Sequence, residues 1–228
     1  AWDIAFASNG MEALELMDHA VFDVVVADLY MPGMDGLALL QKVKLLYPSS
    51  VRMVLTAHLR GSMCSEVLAD SHQCLLKPCG PGKLEAAISE WIAIRERMEN
   101  DRVRGMLLGM GLLPVREDTY KSFSDALKSP EAGVRGLVLA AEKDIGLLAG
   151  IFKLAGAYLQ ERQQRQARIE DTIGLLGMSM LKGLFGSAVF PFLPQTVSGD
   201  FDVNKLQEHS SKVAQLAEKT ARQKGVDE

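Results

Sequence analysis

The sequence predicts a parallel α/β domain joined to an all-α domain, and three observations carry that expectation. Short apolar runs alternate with helix-period segments through the first third of the chain, at the spacing of βα units. Three of those runs end in a polar side chain, Asp28, Thr56 or Lys77, as strands do where they open onto a ligand edge. Beyond about residue 100 the strand signals stop, and every patterned segment has the helical period.

In chain order, strands are expected at 3–7 (DIAFA), 23–27 (DVVVA), 51–55 (VRMVL) and 73–76 (QCLL). Helices are expected at 11–19, 36–46, 62–69 and 82–104. The second helix carries Leu39, Leu40, Val43 and Leu46 on one stripe, and the last carries Leu84, Ile88, Trp91 and Ile92. A single apolar stripe per helix suits packing on a sheet, and the βα alternation places helices on both of its faces. The last stripe runs on into the charged ERMENDRVRGM, so one long helix to about Arg104 is expected to link the two halves before Pro114 closes the connection. Further helices follow at 119–128, after Ser129-Pro130-Glu131, after Asp144, at 169–185 and at 203–223. Ser129 as an N-cap with Pro130 in the first turn is a helix-start signal.

Composition excludes several classes. Lys and Arg number 25 against 29 Asp and Glu, for a net charge of −4, so no basic surface for nucleic acid is expected, and there is no basic recognition helix for a DNA-binding factor. The three cysteines, Cys64, Cys74 and Cys79, are odd in number and confined to one region, which points to reduced thiols in a cytoplasmic protein. No signal peptide is visible, and the strand-like WDIAFA begins at once, so a cut or disordered amino terminus is expected. The most apolar stretch, residues 173–193, holds Lys182 at mid-span at a cost of about 2.5–3.5 kcal/mol and is broken by Gly174, Gly177, Gly183, Gly186 and Pro191. It is expected as a buried helix rather than a membrane span. His58, Cys64, His72, Cys74 and Cys79 have no paired zinc-ligand spacing, so no zinc site is expected.

The stretch FDVVVADLYMPGMDG poses the functional question. Asp28 interrupts an apolar run, and burying an unpaired carboxylate is costly. In an open parallel sheet the carboxyl ends of the strands share one edge, so Asp28, Thr56 and Lys77 should converge there. A carboxylate can act as a nucleophile toward phosphorus, and a hydroxyl with an ammonium can donate hydrogen bonds to phosphoryl oxygens. The same trio could also be a structural Asp28–Lys77 ion pair beside a strand-end hydroxyl.

DVVVADLYMPGMDG, VRMVLTAH and CLLKPCGPGKLEAAI together resemble the three consecutive signatures of the response-regulator receiver domain, over residues 1 to about 95. The resemblance implies a flavodoxin-like parallel sheet with Asp28 as phosphoacceptor, Thr56 as switch hydroxyl and Lys77 as phosphoryl-contacting lysine. It also implies a cis peptide at Pro78, and Mg²⁺ held by Asp28, by the backbone carbonyl of Tyr30 and by an acidic pair on the family's first strand. That strand and the first helix are absent from this sequence, so an incomplete receiver is expected, through truncation or omission. The family's aromatic switch position, three residues before the lysine, holds Cys74, while Tyr30 and His58 take the positions two beyond Asp28 and Thr56.

In the second half, GLLPVREDTYKSFSDALKSPEAGVRGLVLAAEKDIGLLAGIFKLAGAYL, IEDTIGLLGMSMLKGLF and FDVNKLQEHSSKVAQLAEKTA resemble the HDOD domain. That family is a relative of the HD phosphohydrolases and generally lacks their metal ligands. Ala155-Gly156-Ala157 stands where Ala-Asn-Ser is usual, and the family continues with further helices beyond Glu228. His209 is the only histidine after His72 and no His-Asp dipeptide occurs, so His209 is expected to be structural or partner-contacting rather than a metal ligand.

The expected division is therefore a receiver at 1–95, a helical linker at 96–110 and a partial HDOD-like domain at 111–228. The expected function is two-component signalling: a sensor histidine kinase or phosphotransfer protein phosphorylates Asp28 and so regulates a non-catalytic helical domain that binds an unknown protein partner. The alternative is a phospho-regulated, metal-dependent HD-type phosphohydrolase. Neither direct nucleic-acid binding nor a membrane partner is expected, and the linker helix is expected to carry the signal.

Overall fold

The computed structural model describes residues 2–57, 63–129, 131–159, 168–186, 190–192 and 203–224. Three parallel strands, β1 (Val24–Asp28), β2 (Val51–Thr56) and β3 (Gln73–Leu76), lie in the order β1-β2-β3, with Val24 opposite Val51 and Thr56 opposite Leu76. Helices α1 (Gly10–His19), α2 (Gly36–Leu46), α3 (Met63–Asp70) and α4 (Pro81–Glu96) complete the α/β half. Strand side chains alternate between two cores. Ala27, Val54, Cys74 and Leu76 join the core under α2 and α3, while Met53 and Leu75 join the one under α4.

Local chemistry starts these helices where the sequence signals them. The Asn9 side chain accepts the amides of Met11 and Glu12, and Asp35 accepts the amide of Ala38. Each satisfies donors that a helix start leaves open. Leu84, Ile88 and Trp91 pack from α4 onto Met53 and Leu75, as their stripe predicts.

Residues 3–7, expected as a strand, form none. A groove of about 180 Å³ separates Ala5–Ala7 from the outer edge of β1, lined there by Val24, Val25, Val26 and Ala27. Ladder hydrogen bonds need strands about 4.8 Å apart, and across that groove residues 3–7 cannot reach them.

The expected helix 82–104 is two helices. α4 ends at Glu96, and Asn100 opens α5 (Asp101–Gly109) by accepting the amides of Arg102 and Val103. An asparagine N-cap imposes extended geometry on its own residue, so it starts a helix rather than continuing one. The continuation of the stripe through Met98, Val103 and Met106 reads in sequence as a face toward the helical half, but Val103 and Met106 are exposed, Met98 is half-buried, and α5 instead buries Leu108.

The helical half comprises α6 (Glu117–Lys128), α7 (Gly133–Ala141), α8 (Ile145–Leu159), α9 (Ile169–Gly186) and α10 (Val203–Lys224). Ser129 does not open a helix, because its amide bonds back to Asp125 and closes α6, while Pro130 lies outside the described residues. Asp144 does cap α8, accepting the amides of Gly146 and Leu147 and tying in that of Arg116. At the centre Phe185 stacks on Phe190 with ring centroids 5.0 Å apart and meets Phe123 at a tilt, 4.4 Å away. Among the described residues no helix is long and apolar enough to cross a membrane.

One hydrophobic core runs from Leu40 and Leu68 in the first half to Leu154 and Leu184 in the second. Beside it lies a buried polar seam. Arg52 is fully buried, and its guanidinium donates to the carbonyls of Asp70 (2.8 Å), Ser50 (3.2 Å) and Leu108 (2.7 Å). His72 Nδ1 accepts the Arg52 amide at 2.8 Å, so the proton sits on Nε2 and is donated to the Leu108 carbonyl at 2.8 Å. Trp91 covers the imidazole with ring centroids 5.1 Å apart.

Burial, with Arg52 and Lys153 facing the ring, pushes the His72 pKa down to about 3, from 6.5 for the free side chain. A histidine kept neutral in the fold contributes stability that is fully present above its unfolded pKa and is lost as pH falls from there toward the folded value. Chemical-denaturation stability should therefore decline by several kcal/mol between about pH 6.5 and 3. His72→Gln keeps one acceptor and one donor without a titration, and should flatten that decline. An acid limb of unchanged slope in the variant would show that His72 is not its source.

Candidate functional site

The parallel register decides the site. Because Asp28 ends β1, Thr56 ends β2 and Lys77 follows β3, all three stand at the same edge, with Thr56 on the strand between the other two. Backbone pairing extends just past them: the Leu29 amide donates to the Leu55 carbonyl and the Lys77 amide to the Thr56 carbonyl, each at 2.8 Å. The edge is thus held by the same ladder that forms the sheet.

Both oxygens of the Asp28 carboxylate are engaged. Lys77 Nζ donates to Oδ2 at 2.5 Å, and the Tyr30 amide donates to Oδ1 at 3.2 Å. Burial by itself would raise the Asp28 pKa. The hydrogen bond from Lys77, the amides of Tyr30 and Leu29 and the Lys77 charge together hold it below the ordinary carboxylate range. The desolvation that made Asp28 costly in sequence is only partial, since its side chain is 38 % exposed and that of Lys77 40 %. An anionic, solvent-reachable oxygen is what an in-line attack on phosphorus requires. Thr56 is fully buried at the end of β2.

The turn after β1 keeps this geometry compact. A Cβ at Gly36 would stand 2.1 Å from the Asp28 carbonyl oxygen, so only glycine lets the start of α2 approach the site so closely. On the other side, the Lys77–Pro78 peptide is cis, as the family resemblance implied, and Pro81 opens α4 soon after. Tyr30 is largely exposed. Cys74 is buried in β3, so no aromatic ring stands at that position, and His58 lies outside the described residues.

Among the described residues, no group of three His, Cys, Asp or Glu side chains gathers that could hold a metal. Asp28 and the Tyr30 carbonyl can offer two oxygens to a hard cation such as Mg²⁺, which takes six. By themselves they do not make that site. Neither Cys74 nor Cys79 is in a disulfide, and His209 is exposed on α10.

Two residues outside the expected set proved to be central in the fold, Arg52 and Lys153. Each was visible as a lone cation inside an apolar run, VRMVL and GLLAGIFKLAGAYL, the same signal that drew attention to Asp28.

Residues 1–89 match the response regulator receiver domain, and residues 113–228 match the HDOD domain. Receiver domains typically bind Mg²⁺ and imply a histidine kinase partner. The transcriptional regulatory protein ZraR of Klebsiella oxytoca is 35% identical over 91 residues, covering 40% of this chain and 20% of that protein. The uncharacterized transcriptional regulatory protein YesN of Bacillus subtilis is 35% identical over 97 residues, covering 42% of this chain and 26% of that protein. The chain thus spans about a fifth to a quarter of the length of these relatives. Among solved structures, the signal receiver domain of an HD domain-containing protein from Pseudomonas fluorescens Pf-5 is 26% identical, with a TM-score of 0.39, covering 42% of this chain and 74% of that one.

Lys77→Met retains the aliphatic stem and removes the ammonium. The Asp28 carboxyl pKa, followed by carbon-detected NMR titration, should rise in that variant toward or above the ordinary carboxylate range. An unmoved titration would show that Lys77 does not set the charge state of Asp28.

Proposed function

The chain belongs to the HDOD family and carries a response regulator receiver domain ahead of its helical half, and from that premise we propose that it is a cytoplasmic response regulator whose Asp28 accepts a phosphoryl group and thereby controls a non-catalytic helical output domain. The observation that carries this reading is the Asp28–Lys77 pair at 2.5 Å, on the sheet edge where Thr56 ends the intervening strand. The donor is a phosphohistidine of a sensor kinase or of a phosphotransfer protein. An Asp28 carboxylate oxygen forms a bond to phosphorus as the P–N bond breaks, and the histidine nitrogen leaves with the electron pair. Lys77 moves from the carboxylate to a phosphoryl oxygen, and the Thr56 hydroxyl takes another, so both donors offset charge as it builds on the group being transferred. The Lys77 ammonium is at hand whether or not the phosphoryl group is present, which keeps the empty carboxylate anionic and ready to attack.

The helical half acts by contact with a protein partner. An HD-type hydrolase needs histidines and aspartates converging on metal ions, and among the described residues no such group stands near His209. The absence of a His-Asp dipeptide in the sequence supports the same reading.

Incubating the full-length protein with a radiolabelled acyl phosphate and Mg²⁺ should label it, and Asp28→Asn should abolish the label. Lys77→Ala should slow labelling by about 10²–10³-fold, the usual effect of removing one donor to a developing charge. Equal labelling of the Asp28→Asn variant would overturn the assignment. The same preparation should hydrolyse neither cyclic dinucleotides nor nucleotide phosphodiesters with added Mn²⁺, and turnover that disappears in His209→Ala would establish the hydrolase instead.

A further inference from the structure

An α-helix leaves its last four carbonyls without intrahelical partners. In α3 these are Val67, Leu68, Ala69 and Asp70, and every one is occupied. The Val67 carbonyl takes the amide and hydroxyl of Ser71, at 2.9 and 2.6 Å. Ala69 takes Lys44 Nζ from α2 at 2.8 Å, and Asp70 takes Arg52 Nε from β2 at 2.8 Å. Leu68 takes Lys153 Nζ at 2.6 Å, and Lys153 belongs to α8, in the other half of the molecule. Three cations therefore gather at the negative end of one helix dipole, and one of them crosses the domain boundary.

The remaining hydrogens of the Lys153 ammonium are directed just as closely. They go to the carbonyls of Ser71 and Gly111, each at 2.6 Å. Gly111 lies in the connector after α5, pressed so near the end of α3 that a Cβ there would stand 1.6 Å from the Ala69 carbonyl oxygen. One side chain of the helical half thus binds the end of α3, the turn before β3 and the connector together.

We propose that Lys153 and the carbonyl socket at the end of α3 form an interdomain latch, which holds the helical half against the receiver and is loosened when phosphorylation of Asp28 displaces α3; the second clause rests on the phosphoryl reading above. α3 is placed for this role. It follows β2, whose last residue is Thr56 at the site edge, and it ends at the opposite edge where Lys153 is seated. The connector is less suited, since it breaks at residues 97–100 and leaves Val103 and Met106 exposed. Cys74 has no ring to rotate between the site and the domain boundary.

The socket is sensitive to position because of what it encloses. Burial, and then the positive charges of Arg52 and Lys44, pull the Lys153 ammonium pKa down to about 7 against the opposing charge of the Asp70 carboxylate, while the three carbonyls at 2.6 Å take up its hydrogens. Since the receiver's side of the latch is backbone, substituting side chains at 68–71 does not remove it. Only a shift of the helix end, or loss of Lys153, does.

Hydrogen exchange of the full-length protein tests the latch. Lys153→Met keeps the stem and loses the three donors, and Lys153→Gln keeps two of them. Exchange at 63–76 and 145–155 should rise about tenfold or more in the Met variant and less in the Gln variant, with α6 unchanged, and the Gln variant keeps the comparison intact where Met misfolds. In the wild type, labelling Asp28 with an acyl phosphate should raise exchange in the same segments, and should add nothing in Lys153→Met. Unchanged exchange in both variants, an equal rise in α6, or a labelled wild type without the rise would each overturn the latch. Labelling itself is read separately on a phosphate-affinity gel. Failure of Asp28 to label would sink the phosphoryl reading, and the Lys153 variants alone would then uphold or overturn the interdomain clamp.

Discussion

Parallel pairing of β1, β2 and β3 is the constraint on which everything else depends. When all strands run the same way, all carboxyl ends share one edge and all amino ends share the other. The first edge collects Asp28, Thr56 and Lys77. The second collects Arg52 near the start of β2, His72 just before β3 and the end of α3. β2 belongs to both, since Thr56 and Arg52 lie four residues apart on it, roughly 13 Å at the rise of a parallel strand.

The two edges solve different electrostatic problems. At the site edge Asp28 stands part-exposed beside Lys77, so each charge keeps much of its water and the pair can be separated at low cost. At the opposite edge Arg52 and Lys153 are drawn into the interior with backbone carbonyls to receive them, and the partly exposed Lys44 is shared between the Ala69 carbonyl and the Asp70 carboxylate. Such an arrangement is stable only while every donor has its acceptor, because an orphaned buried charge is far more costly than an exposed one. The first edge is suited to exchange a ligand and the second to resist rearrangement until α3 itself moves.

The connection between the halves illustrates how local chemistry overrides a continuous pattern. The charged segment after Trp91 keeps helical period, yet Asn100 caps a new helix and the connector turns back so that Leu108 and Gly111 reach the receiver. The halves consequently share a hydrophobic core and a hydrogen-bonded seam rather than meeting only through a rod. Residues 3–7 show the opposite override. Their composition suits a strand, but a strand requires a neighbour at ladder distance, and a groove lies between them and β1.

The order from α1 through β3 to α4, the stripe of α4 and the candidate trio were legible in the sequence, because each depends on residues close in the chain or on a periodicity that local geometry imposes. Asp28, Thr56 and Lys77 could be found for a further reason: strand ends are marked by a polar residue closing an apolar run, and a parallel sheet then brings the ends together whatever the intervening sequence. What the amino acids did not announce is the partner of each lone cation. Arg52 and Lys153 are satisfied by carbonyls of residues 70, 108, 68, 71 and 111, and a carbonyl is identical at every position of the chain. Only the tertiary structure decides which of those identical oxygens are left over at a helix end, which face a buried ammonium, and hence where one half of this protein grips the other.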